Sequence, residues 1–376
     1  MATSQLIAAL LMTIVSTQNA LSFEAYSVLP GSRALGMAGI FHAQADDTTA
    51  IWYNPAGLSR QNLGINEVSV DWGKMPKADG IGDFSSDSGN FRFIGLHIAN
   101  LPNFKGLFKR PAIGFALLKP YKLQIDIPEQ RSPLDTKTFG RVDIGYYQAS
   151  IQASTGIGEN ISVGATFDTV WTSVECLQHT PCTNDGPSGV GFSMALNYSW
   201  PVSDTLNISA AGIYRTKASL GYDTISTTGI GRYTESYAPD RPESYTFATN
   251  VQISQAWGLS NINISIEDIS WSDTLSRNIE FDASGMDYQR IGIGGETLIP
   301  IVGNIALAIR AGYAISTSDH SLAFPDVETI ALGTGVSFQS RHFVDLALES
   351  RDTTETTLDP DGGSLNLYSI SYSFQF

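Results

Sequence analysis

The sequence has few charged residues, few cysteines and no long apolar run, and each shortage excludes a class of protein. Charged residues make up 16% of the 376 residues, against roughly 25% in a soluble domain. The 22 Lys and Arg are outnumbered by 37 Asp and Glu, and the net charge of −15 excludes a nucleic-acid-binding surface, which is basic. No run approaches the roughly 18 apolar residues of a membrane-spanning helix. An apolar belt around a polar lumen, with acidic loops, would give this composition.

Motifs of enzymes and nucleotide-binding proteins are missing as well. The chain has no Gly-x-Ser-x-Gly elbow, no Walker loop and no His-Glu-x-x-His pair. Gly292-Ile-Gly-Gly295 lies within a strand-like segment and lacks the helix that a dinucleotide site requires. The histidines are scattered along the chain at His42, His97, His179, His320 and His342. We therefore expect no enzyme activity, no cofactor and no metal site.

The two cysteines, Cys176 and Cys182, are close together in sequence. An even count at close spacing in an exported chain favours a disulfide. His179 between them leaves a metal site as the alternative, since three ligand-type residues fall within seven positions. We predict the disulfide, in a loop outside the cell.

The N-terminus has the features of an export signal. Leu6–Val15 is an apolar core of signal-peptide length, too short to cross a bilayer as a helix. Ala20-Leu21-Ser22 offers small residues for cleavage, although no Lys or Arg precedes the apolar core. We predict a signal peptide over residues 1–22.

Alternating apolar and polar residues dominate the chain after residue 62. Fourteen strand-like segments lie between residues 63 and 376, and many are longer than the roughly 5–6 residues of a globular strand. In one of them the apolar set is Phe192, Met194, Leu196, Tyr198 and Trp200. Such alternation places one set of side chains on each face of a strand. Residues 62–376 are therefore predicted to form a fourteen-stranded antiparallel transmembrane β-barrel, an all-β fold.

Loop lengths and aromatic residues support this topology. Long and short links alternate along the chain, as external loops and periplasmic turns do in outer-membrane barrels. Both chain ends are then expected on the periplasmic side. The chain ends on Phe376 after alternating aromatics, which is similar to the signal that such barrels present to their assembly machinery. Tryptophans near strand ends predict interfacial girdles: Trp72, Trp171, Trp200, Trp257 and Trp271.

The segment from 23 to 61 differs from the rest because it is rich in Gly and Ala. Small residues let a backbone pack closely against surrounding walls. Asp46 and Asp47 can cap a short helix through Ile51–Tyr53, and Pro55 should end it. We predict a compact, partly helical plug inside the barrel.

The plug segment resembles a known family. Its motif residues are Gly31, Arg33, Gly36, Gly39, Asp46, Asp47, Asn54, Pro55, Ala56 and Gly57. They are similar to the N-terminal plug of the FadL/TodX family of outer-membrane barrels for long-chain fatty acids and other hydrophobic compounds. The resemblance implies a multi-pass protein of the bacterial outer membrane that takes up hydrophobic molecules passively. PorV-type barrels share the plug pattern, which leaves a non-transporting, secretion-associated scaffold as the alternative.

Candidate ligand contacts follow from the plug and from the charges that alternation turns inwards. The plug supplies apolar side chains at Leu35, Met37, Phe41 and Trp52. Arg310 lies on the polar face of its segment, where it could anchor the plug or receive a carboxylate head group. Expected partners are outer-membrane lipid, a hydrophobic ligand and the barrel-assembly machinery, with no nucleic acid and a monomeric chain.

Overall fold

The structure is a computed structural model in which a closed barrel surrounds an N-terminal segment. The residues it describes are 22–27, 29–60, 66–74, 90–99, 101, 108–127, 140–177, 188–220, 225–226, 234–235, 240–272, 287–318, 326–353 and 363–376. Residues 1–21 and Cys182 lie outside them, so the signal peptide and the disulfide stay predictions.

Eighteen strands are present in the described residues. They are β1 Ser22–Ser27, β2 Glu67–Lys74, β3 Asn90–Ile98, β4 Phe108–Leu118, β5 Tyr121–Ile127, β6 Gly140–Ile157, β7 Ile161–Leu177, β8 Ser188–Ser203, β9 Leu206–Arg215, β10 Ile225–Ser226, β11 Thr234–Glu235, β12 Glu243–Gln255, β13 Gly258–Ser270, β14 Tyr288–Val302, β15 Ile305–Ser318, β16 Val327–Phe338, β17 His342–Thr353 and β18 Gly363–Gln375. All of them except β1, β5, β10 and β11 form a closed ring of antiparallel pairs. The ring is closed where β18 pairs with β2 and where β6 pairs with β7. The predicted fourteen-stranded barrel is confirmed.

The large apolar side chains of the barrel point outwards, whereas small and polar side chains point inwards. Along β8, Met194, Leu196 and Tyr198 are 58%, 55% and 46% exposed, while Ser193 and Asn197 are buried. A water-soluble fold arranges these two classes the other way round. The outer surface therefore suits hydrocarbon rather than water.

The tryptophans separate into two groups. Trp72, Trp200 and Trp257 lie on the outer surface, each about half exposed. Trp271 is only 3% exposed and lies within the barrel, so its assignment to an interfacial girdle is wrong. Trp271 is an even number of positions after the buried Glu267, so regular alternation turns both side chains to the inner face.

One end of the barrel carries short turns. Two-residue turns at 204–205, 256–257 and 303–304 join β8 to β9, β12 to β13 and β14 to β15. Phe376 lies at this end, where its backbone N–H donates to the Asn66 carbonyl at 3.0 Å. Strand β1 pairs with β5, and Ser22 faces Asp126 next to a long link at the opposite end. The expectation that both chain ends lie at the short-turn end therefore fails for residues 22–27.

Residues 29–60 fill the barrel with two short helices and a 3-10 turn. The helices are α1, Ser32–Leu35, and α2, Ala50–Tyr53, and the 3-10 turn spans Gly57–Arg60. We call residues 29–60 the plug. Among the described residues, no helix is long and apolar enough to span a membrane.

Candidate functional site

The plug is almost completely enclosed by the barrel. All its residues are buried except Arg33, Asp46, Asp47 and Arg60, which are half-buried. Leu35, Met37, Phe41 and Trp52 belong to one apolar core with the inner wall. The plug therefore closes the lumen through direct packing against the strands.

The corner after α2 is held by Asn54 and Pro55. The Asn54 side-chain amide donates to the His42 carbonyl at 2.9 Å, and its oxygen accepts the Ala56 N–H at 3.0 Å. Asn54 is in an extended conformation directly before Pro55, so α2 ends at Tyr53. The Pro55 carbonyl accepts a hydrogen bond from Gln152 of β6. These contacts fix the direction of the plug and attach it to the wall.

Glycines let the wall approach the plug backbone. A Cβ atom on Gly312 of β15 would lie 2.1 Å from the carbonyl carbon of Met37. A Cβ on Gly164 of β7 would lie 2.2 Å from the Pro55 oxygen. Since these contacts are with backbone, any larger residue would have to displace the plug.

A chain of charges also ties the plug to the wall. Arg33 of α1 donates two hydrogen bonds to Glu296 of β14, at 2.8 and 2.7 Å. Glu296 also accepts from Arg310 of β15 at 2.6 Å, and Arg310 pairs with Asp345 of β17 at 2.7 Å. On the plug itself, Arg33 pairs with Asp46 at 2.7 Å. We call these five residues the plug network.

The plug network changes the interpretation of Arg310. Its guanidinium bonds two wall carboxylates, Glu296 and Asp345, and Glu296 also accepts from Arg33 of the plug. Burial alone would lower the pKa of Arg33, but Asp46, Glu296 and Asp47 raise that pKa well above its ordinary value. Arg33 therefore remains charged, and the network does not depend on pH through this group.

An aromatic cluster lies where α2 meets the wall. The Trp52 ring is 5.8 Å from the Tyr121 ring, edge to face. Tyr121 in turn lies 6.2 Å from Tyr146 and 5.6 Å from Trp271, again edge to face. The Arg215 guanidinium stacks 3.8 Å from the centre of the Trp52 ring. We call the four rings the aromatic cluster; apolar surface and ring faces of this kind bind hydrophobic and aromatic molecules.

Sequence reasoning found only one member of this cluster. Trp52 was a candidate ligand contact, whereas Tyr121, Tyr146 and Trp271 were not. For Trp271 the sequence did contain a signal, because its even spacing from the inward-facing Glu267 places both residues on the same face of the strand. Leu35, Met37 and Phe41 lie in the same apolar core as Trp52, but Phe41 packs edge to face on Tyr53, 5.7 Å away, within the plug.

The wall is interrupted next to the aromatic cluster. Pairing between β3 and β4 ends at Phe93 and Leu118, after which the Lys119 N–H donates to the Arg92 carbonyl at 3.0 Å. Pro120 has no N–H to continue the ladder. Beyond it, β5 begins at the buried Tyr121 and pairs with β6 and β1 rather than with β3. The described wall therefore has no ladder between β3 and β5; we call this place the wall break.

Two hollows flank the plugged lumen. An apolar hollow of about 450 Å³ lies on the outer surface beside the wall break, lined by Ile94, Phe115, Leu117, Ile151 and Phe167. A polar hollow of about 810 Å³ lies at the short-turn end, lined by Arg33, Asp46, Arg60, Glu159, Asp345 and Gln375. The hollow on the outer wall is therefore apolar, whereas the hollow that borders the plug at the short-turn end is polar.

Groups for acid–base or metal chemistry are not assembled in the part of the chain that the structure describes. That part holds no set of three or more His, Cys, Asp or Glu that could bind a metal ion. Burial, with help from Arg215 and Arg290, lowers the pKa of His42 to about 3, so its ring is neutral. The Tyr53 ring lies 5.3 Å from the His42 ring, edge to face. His42 is placed as a plug-core residue.

Comparison with known proteins gives a clear result only at the level of structure. No family model matches the chain, and no curated protein matches it in sequence. The toluene transporter TbuX of Ralstonia pickettii superposes with a TM-score of 0.64 at 16% identity, over 92% of this chain and 98% of that one. The toluene transporter TodX of P. putida gives 0.61 at 15% identity, over 93% and 98%. A Pseudomonas aeruginosa FadL homologue gives 0.57 at 14% identity, over 93% and 99%. The chain therefore has the fold of these barrels along nearly its whole length.

Proposed function

We propose that this chain is an outer-membrane channel of the FadL/TodX type, through which hydrophobic small molecules, long-chain fatty acids among them, diffuse into the cell. The observation that carries the proposal is the position of the aromatic cluster, between the plug and the wall break. The toluene transporters with the same fold and the plug motif in the sequence support it. The expected setting is a monomer in outer-membrane lipid, inserted by the barrel-assembly machinery.

The driving force for such uptake is partition. Moving one methylene from water to an apolar site contributes about 0.8 kcal/mol, so ten buried methylenes give roughly 8 kcal/mol before the costs of ordering the ligand. No energy source or cofactor is needed to concentrate a ligand in this way. An open aqueous pore would give none of this gain.

The path follows the change of environment around the plug. A ligand meets the aromatic cluster above α2 and leaves sideways at the wall break, or past the plug if the plug rearranges. The apolar hollow outside the break offers a surface of the same chemistry. The plug network and the plug-to-wall glycine contacts keep water-soluble solutes out meanwhile.

The test is uptake of labelled hydrophobic compounds by cells with and without the protein, using a long-chain fatty acid and an aromatic hydrocarbon. Trp271→Ala removes one ring of the cluster, and Trp257→Ala is the matched control, since it removes an exposed tryptophan at the other end of β13. An aromatic contact is worth about 1 kcal/mol beyond its buried area, so we expect Trp271→Ala to slow uptake about fivefold and Trp257→Ala to leave it unchanged.

Two results would contradict the proposal. Equal effects of the two substitutions would remove the aromatic cluster from the path. If no hydrophobic compound depends on the protein while it purifies in a fixed ratio with other envelope proteins, the scaffold function shared by PorV-type barrels is the better assignment.

A further inference from the structure

The aromatic cluster is enclosed within the barrel. Each of its four rings is at most 5% exposed, so a ligand reaches them only if part of the protein moves. Residues 217–220, which follow β9, and residues 240–242, which precede β12, are neighbours of the cluster, and we call these two stretches the strap. Its two arms are joined by Ala218 and Arg241, whose N–H groups each donate to the other's carbonyl at 3.1 Å. The strap is thus a short paired segment outside the ring of strands.

The strap lies against the inner face of β8. Thr216 still continues the ladder between β9 and β8, since its N–H donates to a β8 carbonyl at 2.8 Å. Beyond that point, a Cβ atom on Gly191 of β8 would lie 2.2 Å from Nη2 of Arg241. A Cβ on Gly189 of β8 would lie 2.3 Å from the Ser219 carbonyl oxygen. Both glycines alternate with the exposed residues of β8, so the strap occupies the lumen, and the missing Cβ atoms make room for it.

The strap covers the aromatic cluster from the end of the barrel that carries the long links. Its buried side chains Ala218 and Leu220 belong to the same apolar core as Tyr146 and Trp271. The Asp240 carboxylate of the strap is within electrostatic reach of Tyr146. Because β9 ends and β12 begins beside a long link, the strap enters the lumen from that end. The plug meets the same cluster through α2, so the rings are enclosed between strap, plug and wall.

The Arg241 side chain ties the strap to the wall. Its guanidinium donates to Asp168 of β7 at 2.7 Å and to Gln148 of β6 at 2.8 Å. It also donates to the Thr216 carbonyl at 2.9 Å, at the point where the chain leaves the ladder. The side chains of Arg241 and Asp168 are both fully buried, and removing one partner of such a pair is strongly destabilising. Arg241 is therefore placed to hold the strap in its closed position.

We propose that the strap is an outer gate over the aromatic cluster, which Arg241 holds closed and which opens to admit a hydrophobic molecule from the long-link end. A segment held by few contacts opens locally at a lower free energy than strands within a ladder. An entering apolar molecule takes over the apolar contacts of Ala218 and Leu220, whereas a polar solute cannot replace them. The plug stays in place meanwhile, so the channel has two closures in series. The inference rests on the proposed function, because it assigns the entrance of the same channel.

The experiment measures how fast N-ethylmaleimide, a small thiol reagent, labels a cysteine placed under the strap in the purified full-length protein. Val170→Cys provides the site, because Val170 is fully buried on β7 opposite Gly189 and belongs to the same apolar core as the strap. Ser219→Cys, at an exposed position of the strap, is the reference for free access. Both variants also carry serine in place of Cys176 and Cys182. We expect the thiol at position 170 to react far more slowly than the thiol at position 219.

Weakening the tie should open the gate. Arg241→Gln is expected to speed labelling at position 170 about 10- to 100-fold, the factor that corresponds to hydrogen bonds to a charged group, while labelling at position 219 stays unchanged. Arg241→Lys keeps the charge without the planar fork and should give an intermediate rate. Arg351→Gln is the matched control, because it breaks another buried arginine–carboxylate pair, the one with Glu349 on β17, and it should change neither rate. All variants are compared as the folded, heat-modifiable gel band.

Three labelling results would overturn the inference. With Arg241 in place, equal rates at positions 170 and 219 would show that the strap covers nothing, and this arm needs no Arg241 variant to fold. An unchanged rate in Arg241→Gln would show that this side chain does not hold the strap. Equal acceleration by Arg241→Gln and Arg351→Gln would show that any lost buried charge loosens the barrel.

Uptake of labelled naphthalene by cells separates the inference from the proposed function. Uptake that depends on the protein and rises with Arg241→Gln supports the strap as the entrance. If uptake depends on the protein but Arg241→Gln leaves it unchanged, the strap inference alone fails. If no uptake depends on the protein, the proposed function fails, and the entrance role of the strap fails with it.

Discussion

At the scale of single residues, the interior of this barrel is organised by charges rather than by apolar contacts alone. Arg33, Glu296 and Arg310 alternate in sign from the plug to the wall. Removing one partner of a buried pair is strongly destabilising, because it leaves the other charge without compensation. The network should therefore hold the plug in one position.

Glu296→Gln tests the plug network. The substitution leaves Arg33 and Arg310 without their shared carboxylate, although each keeps another acidic partner. We expect the plug to be destabilised by roughly 3 kcal/mol, near the low end for a broken buried pair, with the barrel itself intact. The readouts are ion conductance in planar bilayers, which should rise, and the temperature at which the folded band is lost on gels.

Glu159→Gln is the matched control for that substitution. Glu159 pairs with Lys109, and both side chains are exposed, by 76% and 43%. Exposed pairs contribute little, so neither conductance nor folding temperature should change. Equal behaviour of the two variants would show that the plug does not depend on its charges.

At the scale of elements, the plug and the wall touch through backbone. Gly312→Ala would place a Cβ 2.1 Å from the Met37 carbonyl carbon, and relief requires movement of the plug. Overpacking of this kind costs typically about 1–3 kcal/mol. We expect a leaky channel, measured as conductance and as increased sensitivity of cells to large antibiotics.

Gly212→Ala is the control for Gly312→Ala, because it also replaces a strand glycine by alanine. On β9 the added Cβ would meet only the Phe247 ring, at 3.8 Å, an ordinary contact. This variant should behave like the natural protein. A leak from Gly212→Ala as large as that from Gly312→Ala would mean that strand glycines act through backbone flexibility instead.

The elements also show what sequence can and cannot predict. Alternation predicts the barrel strands because each has one face towards lipid and one towards the lumen. It does not predict β1, which is six residues long and pairs with the distant β5. Alternation also does not predict β5, which Lys119 and Pro120 separate from β4.

The site was less predictable than the fold for a related reason. The plug motif identifies the residues that form the corner at Asn54, because local hydrogen bonding depends on local sequence. Arg92 and Phe93 are consecutive in β3 and both are buried, because a β-bulge opposite Asp71 and Trp72 interrupts the alternation, and the sequence pattern does not reveal the bulge. Arg310 could be recognised as inward-facing, but the sequence does not reveal that it bonds Glu296, which also accepts from Arg33, 263 positions away in the plug.

At the scale of the whole molecule, the outer surface predicts a depth in the membrane. Ile264, near the middle of β13, is 48% exposed on the outer face, and Ile301, beside a short turn, is 58% exposed. A Lys at the bilayer midplane costs about 2–4 kcal/mol, but only about 0–1 near the interface. Ile264→Lys should therefore lower barrel stability in lipid vesicles well beyond Ile301→Lys.

The measurement is the urea dependence of the heat-modifiable gel band for both variants reconstituted in vesicles. Circular dichroism should remain dominated by strand. Equal costs at the two positions would contradict the proposed depth, and a natural protein that stays folded and monodisperse without detergent would contradict the membrane location altogether.

The pairing of β18 with β2, which closes the barrel, limits the rate at which this molecule folds. Gln375 donates to Glu67 across it, and these partners are 308 residues apart in the chain. The entropy of closing such a loop is lost before the contact contributes anything, which affects the folding rate more than the final stability. Until the ring closes, the two edge strands remain unpaired and prone to aggregation. A catalyst that holds β2 until β18 is available would change the yield of this protein in the cell far more than any gain in the strength of its packing.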